Sequence, residues 1–134
     1  MRTLLFLDRW LPSWVVLLSS IWATWVLLSP PSNFAAFPVA FRYTAWMSEV
    51  EWAIVLLISL SLHGIGLWLR TRKADIAAAR LIGFIGLSGQ TVFWLYFGAS
   101  TILANPDTLF GFTGMMVGVT GAWRLCRYGW APDV

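Results

Sequence analysis

Four long apolar segments, separated by short polar stretches, dominate the pattern of the chain. They cover about residues 11–29, 50–69, 80–103 and 108–125, and each is close to the roughly 20 residues that a helix needs to cross a bilayer. Apolar and polar residues do not alternate within them, so helices are predicted rather than strands. The pattern predicts an all-α integral membrane protein, with four transmembrane helices in an up-down bundle that forms one domain over 1–134.

Local signals mark the ends of these predicted spans. Pro12 suits the first turn of the first span, where its missing N–H is not needed, and Pro30 ends that span. Ser48, followed three residues later by Glu51, predicts a capping box at the start of the second span. The "NPD" turn at 105–107 is short, so the third and fourth spans are expected to be antiparallel neighbours.

Two further segments are apolar but too short or too interrupted to span a bilayer. "MRTLLFLDRW" at the N-terminus is bracketed by arginines and is expected to lie in the cytoplasmic interface. "NFAAFPVAFRYTAWM", from 33 to 47, is rich in aromatic residues and is interrupted by Pro38. It is expected to rest on the outer face, as a re-entrant or interfacial strip or, the preferred interpretation, as a loop that covers the bundle.

Composition supports a membrane location. The 134 residues are 59% hydrophobic and 11% charged, whereas soluble domains carry about 25% charged residues. The mean hydropathy is +0.74. No basic run has the length or spacing that nucleic-acid binding requires, so nucleic acid is not expected as a partner.

Basic residues fall mainly on one side of the predicted spans. Arg2 and Arg9 precede the first span, and Arg42 stands alone on the opposite side. The positive-inside rule therefore predicts a multi-pass membrane protein with both termini in the cytoplasm. The predicted cytoplasmic anchors lie between the second and third spans and after the fourth: Arg70, Arg72, Lys73, Arg80, Arg124 and Arg127.

Glycines recur at helical spacing in the last two spans. Four of them in the fourth span fall within an arc of about 80° and form a smooth groove, and three more lie in the third span. In lipid, small residues let helix backbones approach closely, so these glycines are predicted to be helix-packing positions. The groove faces either the third span or another protein chain. The glycines are Gly83, Gly86, Gly89, Gly111, Gly114, Gly118 and Gly121.

His63 and Gln90 are the intramembrane polar residues of the second and third spans. Their distances from the basic loop, about 10 and 15 Å along the helices, are similar enough for a hydrogen bond between antiparallel spans. That role is preferred, although a lone intramembrane histidine can also ligate a haem or pigment or serve a proton path.

Reactive groups are otherwise sparse, and we do not expect an enzyme. The chain has one histidine and one cysteine, Cys126, so neither a metal site nor a bound cofactor is predicted. Of the two carboxylates that could serve acid–base chemistry at the start of the second span, Glu49 and Glu51, the capping role accounts for Glu51. The large aromatic residues are expected on the lipid-exposed periphery or near the interfaces: Trp14, Trp22, Trp25, Phe93, Trp94 and Phe97.

Four features characterise the organisation of the chain: the compact opening "LDRWLPSW", the high tryptophan content, the four closely spaced spans and the basic C-terminal sequence "WRLCRYGW". In this organisation the chain resembles small multi-span membrane proteins encoded by bacteriophages, including holins. The resemblance implies a location in the bacterial inner (cytoplasmic) membrane and a role there: holin-like permeabilisation, genome passage or exclusion of competing phage.

Two functional hypotheses follow. The first is a self-associating membrane protein whose partners are the lipid bilayer and other copies of itself. The alternative is an accessory structural subunit, whose helices dock onto a larger respiratory or photosynthetic membrane complex. A transporter or channel is less consistent with the sequence, because His63 and Gln90 make a thin polar lining.

Overall fold

A computed structural model of the chain describes residues 2–28, 33–72 and 76–128, with side chains described for 14–28, 34–72 and 76–126. All regular secondary structure in these ranges is helical, which confirms the all-α prediction for them. The five helices are α1 Arg2–Leu28, α2 Asn33–Ala36, α3 Glu49–Thr71, α4 Ile76–Ala104 and α5 Leu109–Tyr128.

Two of these helices are long and apolar enough to cross a membrane. They are α3 and α4, with 23 and 29 residues and mean hydropathies of 1.9 and 1.4 over their most apolar 18 residues. Within the described residues, Trp14–Leu28 of α1 is a shorter apolar helical stretch.

The first helix differs from the expectation. The N-terminal segment and the first apolar segment form one continuous helix, so the prediction that a helix starts at Pro12 is wrong. With 27 residues, α1 is about 40 Å long. The leucine-rich sequence on both sides of Pro12 favours helix, and this outweighs the hydrogen bond that proline cannot donate.

The start of α3 is set by a capping box. The Ser48 N–H donates to Glu51 Oε2 at 2.7 Å, and the Glu51 N–H donates to Ser48 Oγ at 3.2 Å. Two of the N–H groups that the first turn leaves without an intrahelical partner are thereby satisfied.

The connection from α1 to α3 lies across one end of the bundle. It comprises the short α2 and a series of turns from 37 to 47. The Trp52 Nε1–H donates to the Thr44 carbonyl at 2.8 Å, and the Tyr96 hydroxyl donates to the Tyr43 carbonyl at 2.7 Å. These bonds hold the connection against α3 and α4, so that it covers this end of the bundle. We call this end, which also contains the end of α1 and the α4–α5 turn, the connector end.

The four long helices pack side by side. α4 lies between α3 and α5 and contacts both extensively, and α1 packs against α3 and α5. The residues in contact follow opposite directions along α3 and α4. Gly66, late in α3, meets Gly83, early in α4, whereas Ser59, earlier in α3, meets Gly89, later in α4. α3 and α4 are therefore antiparallel, which gathers Arg70, Arg72 and Arg80 at the end opposite the connector end. We call it the basic end.

An aromatic cluster fills the core and corrects the expected position of three rings. Phe93, Trp94 and Phe97 are buried rather than peripheral, and Phe97 is fully enclosed. Trp22 of α1 packs against Phe93 and Phe97, with ring centroids 5.0 and 5.5 Å apart. The Trp94 Nε1–H donates to Ser19 Oγ at 2.9 Å, which ties α4 to α1 and gives the indole a partner inside the bundle.

Trp14 and Trp25 lie on the exposed face of α1, as expected. The surface as a whole has an unusual polarity. Among the described side chains, large exposed hydrophobic residues outnumber buried hydrophobic ones, and all four long helices contribute to them. The interior contains polar groups, among them Ser19, Ser59 and Thr91.

Candidate functional site

The contact between α3 and α4 is close because glycines of α4 face the backbone of α3. We call this contact, formed by Ser59, His63, Gly66, Gly83, Gly86 and Gly89, the α3/α4 seam. A Cβ on Gly86 would meet the His63 backbone nitrogen and would lie 2.6 Å from the Ser59 carbonyl oxygen. A Cβ on Gly66 would lie 2.6 Å from the Gly83 Cα. Neither position has room for a methyl group.

The contact between α4 and α5, which we call the α4/α5 seam, uses the four glycines of α5. A Cβ on Gly118 would lie 2.7 Å from the Leu95 backbone nitrogen, and one on Gly121 would lie 2.5 Å from Thr91 Oγ1. Gly111 faces Ile102, and Gly114 faces Gly98 of α4. The α5 groove is thus occupied by α4 of the same chain, the first of the two possibilities left open by the sequence.

His63 and Gln90 meet inside the α3/α4 seam. Both side chains are buried, and Gln90 Nε2 lies 3.2 Å from His63 Nδ1. Because an amide nitrogen can only donate, Nδ1 accepts in this contact. The same Gln90 Nε2 lies 3.4 Å from the Gly86 carbonyl. The pair therefore joins two helices at the glycine where their backbones come closest.

Gly64 differs from the seam glycines. A Cβ added to it would meet no atom within 4 Å, so this glycine faces outward from α3. Ser61, three residues earlier, is also exposed. Together they form a small smooth patch between larger apolar residues, which we call the α3 patch.

The predicted cytoplasmic anchors occupy different environments. Arg72 and Arg80 are exposed, and the Arg72 guanidinium lies 5.5 Å from the centroid of the Trp68 ring. Arg70 is half-buried. Lys73 and the side chain of Arg127 lie outside the described residues.

Arg124 departs from the predicted role of a surface anchor, because its side chain is 2% exposed and lies inside the bundle. The reason is helical periodicity. Arg124 follows Gly121 by three residues and Val117 by seven, so it shares their inward face.

A cavity of about 630 Å³ opens at the connector end. Its walls are largely aromatic and aliphatic, and they come from α1, the connection and the α4–α5 turn. Two buried polar side chains, Glu49 and Thr101, also line it. This cavity could not be predicted from the sequence, because the residues that form it are distant along the chain.

In the described part of the chain, no three His, Cys, Asp or Glu side chains come together. Cys126 is an exposed thiol. No protein-family model, curated protein or solved structure matches the chain.

Proposed function

We propose that this chain is a non-enzymatic, multi-pass protein of the bacterial inner membrane that acts through helix packing and self-association in the bilayer. The observation that carries the proposal is the polarity of the bundle. Bulky side chains such as Trp14, Ile21, Ile58, Val92 and Phe112 are exposed, while polar groups are enclosed. In water this exposed apolar surface would cost a large hydrophobic free energy, whereas in a bilayer it contacts lipid tails that are equally apolar.

Packing within the bundle supports four spans. α5 follows α4 from the Gly98–Gly114 contact to the Thr91–Gly121 contact, so a membrane that encloses this part of α4 also encloses α5. α1 is bonded to the middle of α4 through Ser19 and Trp94.

The charges support an orientation with both termini in the cytoplasm. Of the described basic side chains, Arg42 is the one at the connector end, and the others lie at or near the basic end. The positive-inside rule assigns the basic end to the cytoplasm. The N-terminus of α1 and the C-terminus of α5 share that end.

Self-association requires a surface that the bundle leaves free. Since the two seams are occupied within the chain, the α3 patch, with Ser61 and Gly64, is the surface best suited to a second copy. Small residues on an exposed helix face allow close backbone approach between chains in lipid. The roles implied by the resemblance to phage membrane proteins, namely permeabilisation, genome passage and exclusion, all require such contacts or contacts with host helices.

The test compares oligomer size in mild detergent for three proteins. We expect the wild type to form an oligomer and Gly64→Leu to form a monomer, because the leucine side chain fills the α3 patch without entering a seam. Thr24→Leu is the matched control, since it adds similar bulk to an exposed position of α1. A monomeric wild type, or an oligomer that persists in Gly64→Leu, contradicts this assignment.

Growth and membrane potential of expressing bacteria separate the roles. Permeabilisation predicts rapid depolarisation by the wild type and none by Gly64→Leu. Depolarisation that is the same for both proteins would show that the α3 patch has no part in it.

A further inference from the structure

Two buried polar atoms in the wall of the cavity at the connector end have no hydrogen-bond partner among the described residues. Glu49 is 3% exposed, and its Oε1 has no hydrogen-bond partner among the described residues. Thr101 is 0% exposed, and its Oγ1 has none either. Such buried polar atoms are uncommon, because leaving one without a partner costs about 1–3 kcal/mol.

The hydroxyl of Thr101 is unusual within its own helix. Thr91, ten residues earlier on α4, donates to the Leu87 carbonyl at 2.8 Å, as threonine in a helix commonly does. Thr101 makes no such bond. Its hydroxyl therefore has an unused hydrogen-bonding capacity in the wall of the cavity that Thr101 lines.

The formal charge of the cavity lining is negative, because Glu49 is the one ionisable residue among the described lining residues. Glu49 begins α3, where the helix dipole favours a carboxylate. The basic residue described at this end, Arg42, is exposed, and its guanidinium packs over the Tyr43 ring at 4.8 Å. Neither Arg42 nor another basic residue is among the residues that line the cavity.

The remaining walls suit an apolar body with a cation attached. Trp22, Trp25, Phe37 and Phe110 are among the lining residues. Aromatic faces attract cations as well as apolar groups. The volume, about 630 Å³, falls in the range of small-molecule sites, roughly 300–1,000 Å³.

From these observations we propose that the cavity at the connector end binds a small hydrophobic amine in its protonated form. The ammonium group donates to Glu49 Oε1 and Thr101 Oγ1, and the apolar body lies against the aromatic walls. A quaternary ammonium ion has no N–H and leaves both oxygens unsatisfied. An anion is repelled by the carboxylate. The proposal is independent of self-association, because neither Ser61 nor Gly64 of the α3 patch lines the cavity.

The first experiment varies the ligand and leaves the protein unchanged. Wild-type protein in phosphatidylcholine nanodiscs is titrated with phenethylamine, its trimethylammonium analogue and phenethyl alcohol, and binding is followed by tryptophan fluorescence and thermal stabilisation. We expect the amine to bind about tenfold or more tightly than either analogue, because charge-assisted hydrogen bonds are the stronger ones. Equal affinity for the three compounds, or no binding of the amine, overturns the proposal.

The second experiment varies the protein. Glu49→Gln removes the charge with little change in shape, and we expect it to weaken phenethylamine binding about tenfold. Glu51→Gln is the matched control: it lies on the same helical turn, is not part of the lining, and keeps the capping box. Thr101→Val provides a second variant with a smaller expected loss. Wild-type affinity in both Glu49→Gln and Thr101→Val contradicts the proposal.

A third experiment separates a free amine from a lipid headgroup of the same chemistry. Phenethylamine binding is repeated in nanodiscs that contain phosphatidylethanolamine. We expect unchanged affinity. Loss of binding in these discs assigns the site to the headgroup and overturns the free-amine assignment.

Discussion

The two seams of α4 differ in which helix supplies most of the glycines. Toward α3, α4 contributes glycines, and α3 contributes its backbone together with Ser59 and His63. Toward α5, α4 contributes side chains such as Thr91 and Leu95 together with one glycine, Gly98, and the other glycines belong to α5. The face of α4 toward α3 is therefore smooth, whereas the face toward α5 is smooth at Gly98 and uneven elsewhere.

The difference bears on how each seam responds to added bulk. A backbone atom cannot move away from a new methyl group without moving its whole helix, whereas the far end of a side chain can rotate. The α3/α4 seam also contains a buried polar pair, while several glycines of the α4/α5 seam, such as Gly118 and Gly121, face side chains of Leu95 and Thr91. We expect the α3/α4 seam to be the less tolerant of the two.

The largest effect is expected for Gly86→Ala. The new methyl group would meet the His63 nitrogen and the Ser59 carbonyl, so α3 and α4 must separate. We expect a loss of about 2–3 kcal/mol in the free energy of unfolding, which exceeds the roughly 1 kcal/mol that alanine gains in helix propensity. Unfolding in mixed SDS micelles, followed by circular dichroism, measures it. Stability equal to the wild type would show that the backbones are not in contact.

A facing pair in the α4/α5 seam gives an intermediate effect and an internal comparison. A Cβ on Gly98 would meet the Met115 nitrogen, whereas a Cβ on Gly114 would lie 3.2 Å from the Gly98 Cα. We expect Gly98→Ala to cost about 2 kcal/mol and Gly114→Ala about 1 kcal/mol or less, by the same unfolding measurement. The reverse order would contradict the packing described for this seam.

The polar pair is tested by a double-mutant cycle. His63→Leu and Gln90→Leu each remove one partner of the bond, and we expect a coupling free energy of about 0.6–1.7 kcal/mol. Fold and any activity should persist in His63→Leu, because the residue stabilises the seam. An intact fold with complete loss of activity would instead support ligation or proton transfer by His63.

The smallest effect is expected for Gly64→Ala. Since a Cβ at this position meets no atom within 4 Å, alanine adds helix propensity at no steric cost. We expect a gain of about 0.5–1 kcal/mol in the free energy of unfolding of the monomer. A loss comparable to that of Gly86→Ala would show that Gly64 is covered.

Several local features were accessible from the sequence because they depend on neighbouring residues. The capping box needs Ser48 and Glu51, which are three residues apart, and the spans predicted at 50–69 and 108–125 end within a few residues of α3 and α5. The His63–Gln90 contact followed from counting residues back from the connecting loop, since a short loop fixes the relative depth of two antiparallel helices.

Other features required the tertiary structure. Phe93 and Phe97 were expected on the periphery, and Arg124 was expected at the surface, but all three are buried. The apolar residues of these helices surround them on all sides, so hydrophobic periodicity does not distinguish an inner face from an outer one. Glycines and buried polar residues distinguish the inner face of a helix from its outer face only once the neighbouring helix is known.

The sequence by itself determined, to within a few residues, where α3, α4 and α5 lie and how α3 begins, because capping, turns and helix propensity act over a few residues. Only the tertiary structure decided which faces meet, that the α5 groove is filled by α4, and that Glu49 and Thr101 line one cavity. These arrangements depend on steric fit between segments far apart in the chain, and no pattern within a single segment specifies that fit.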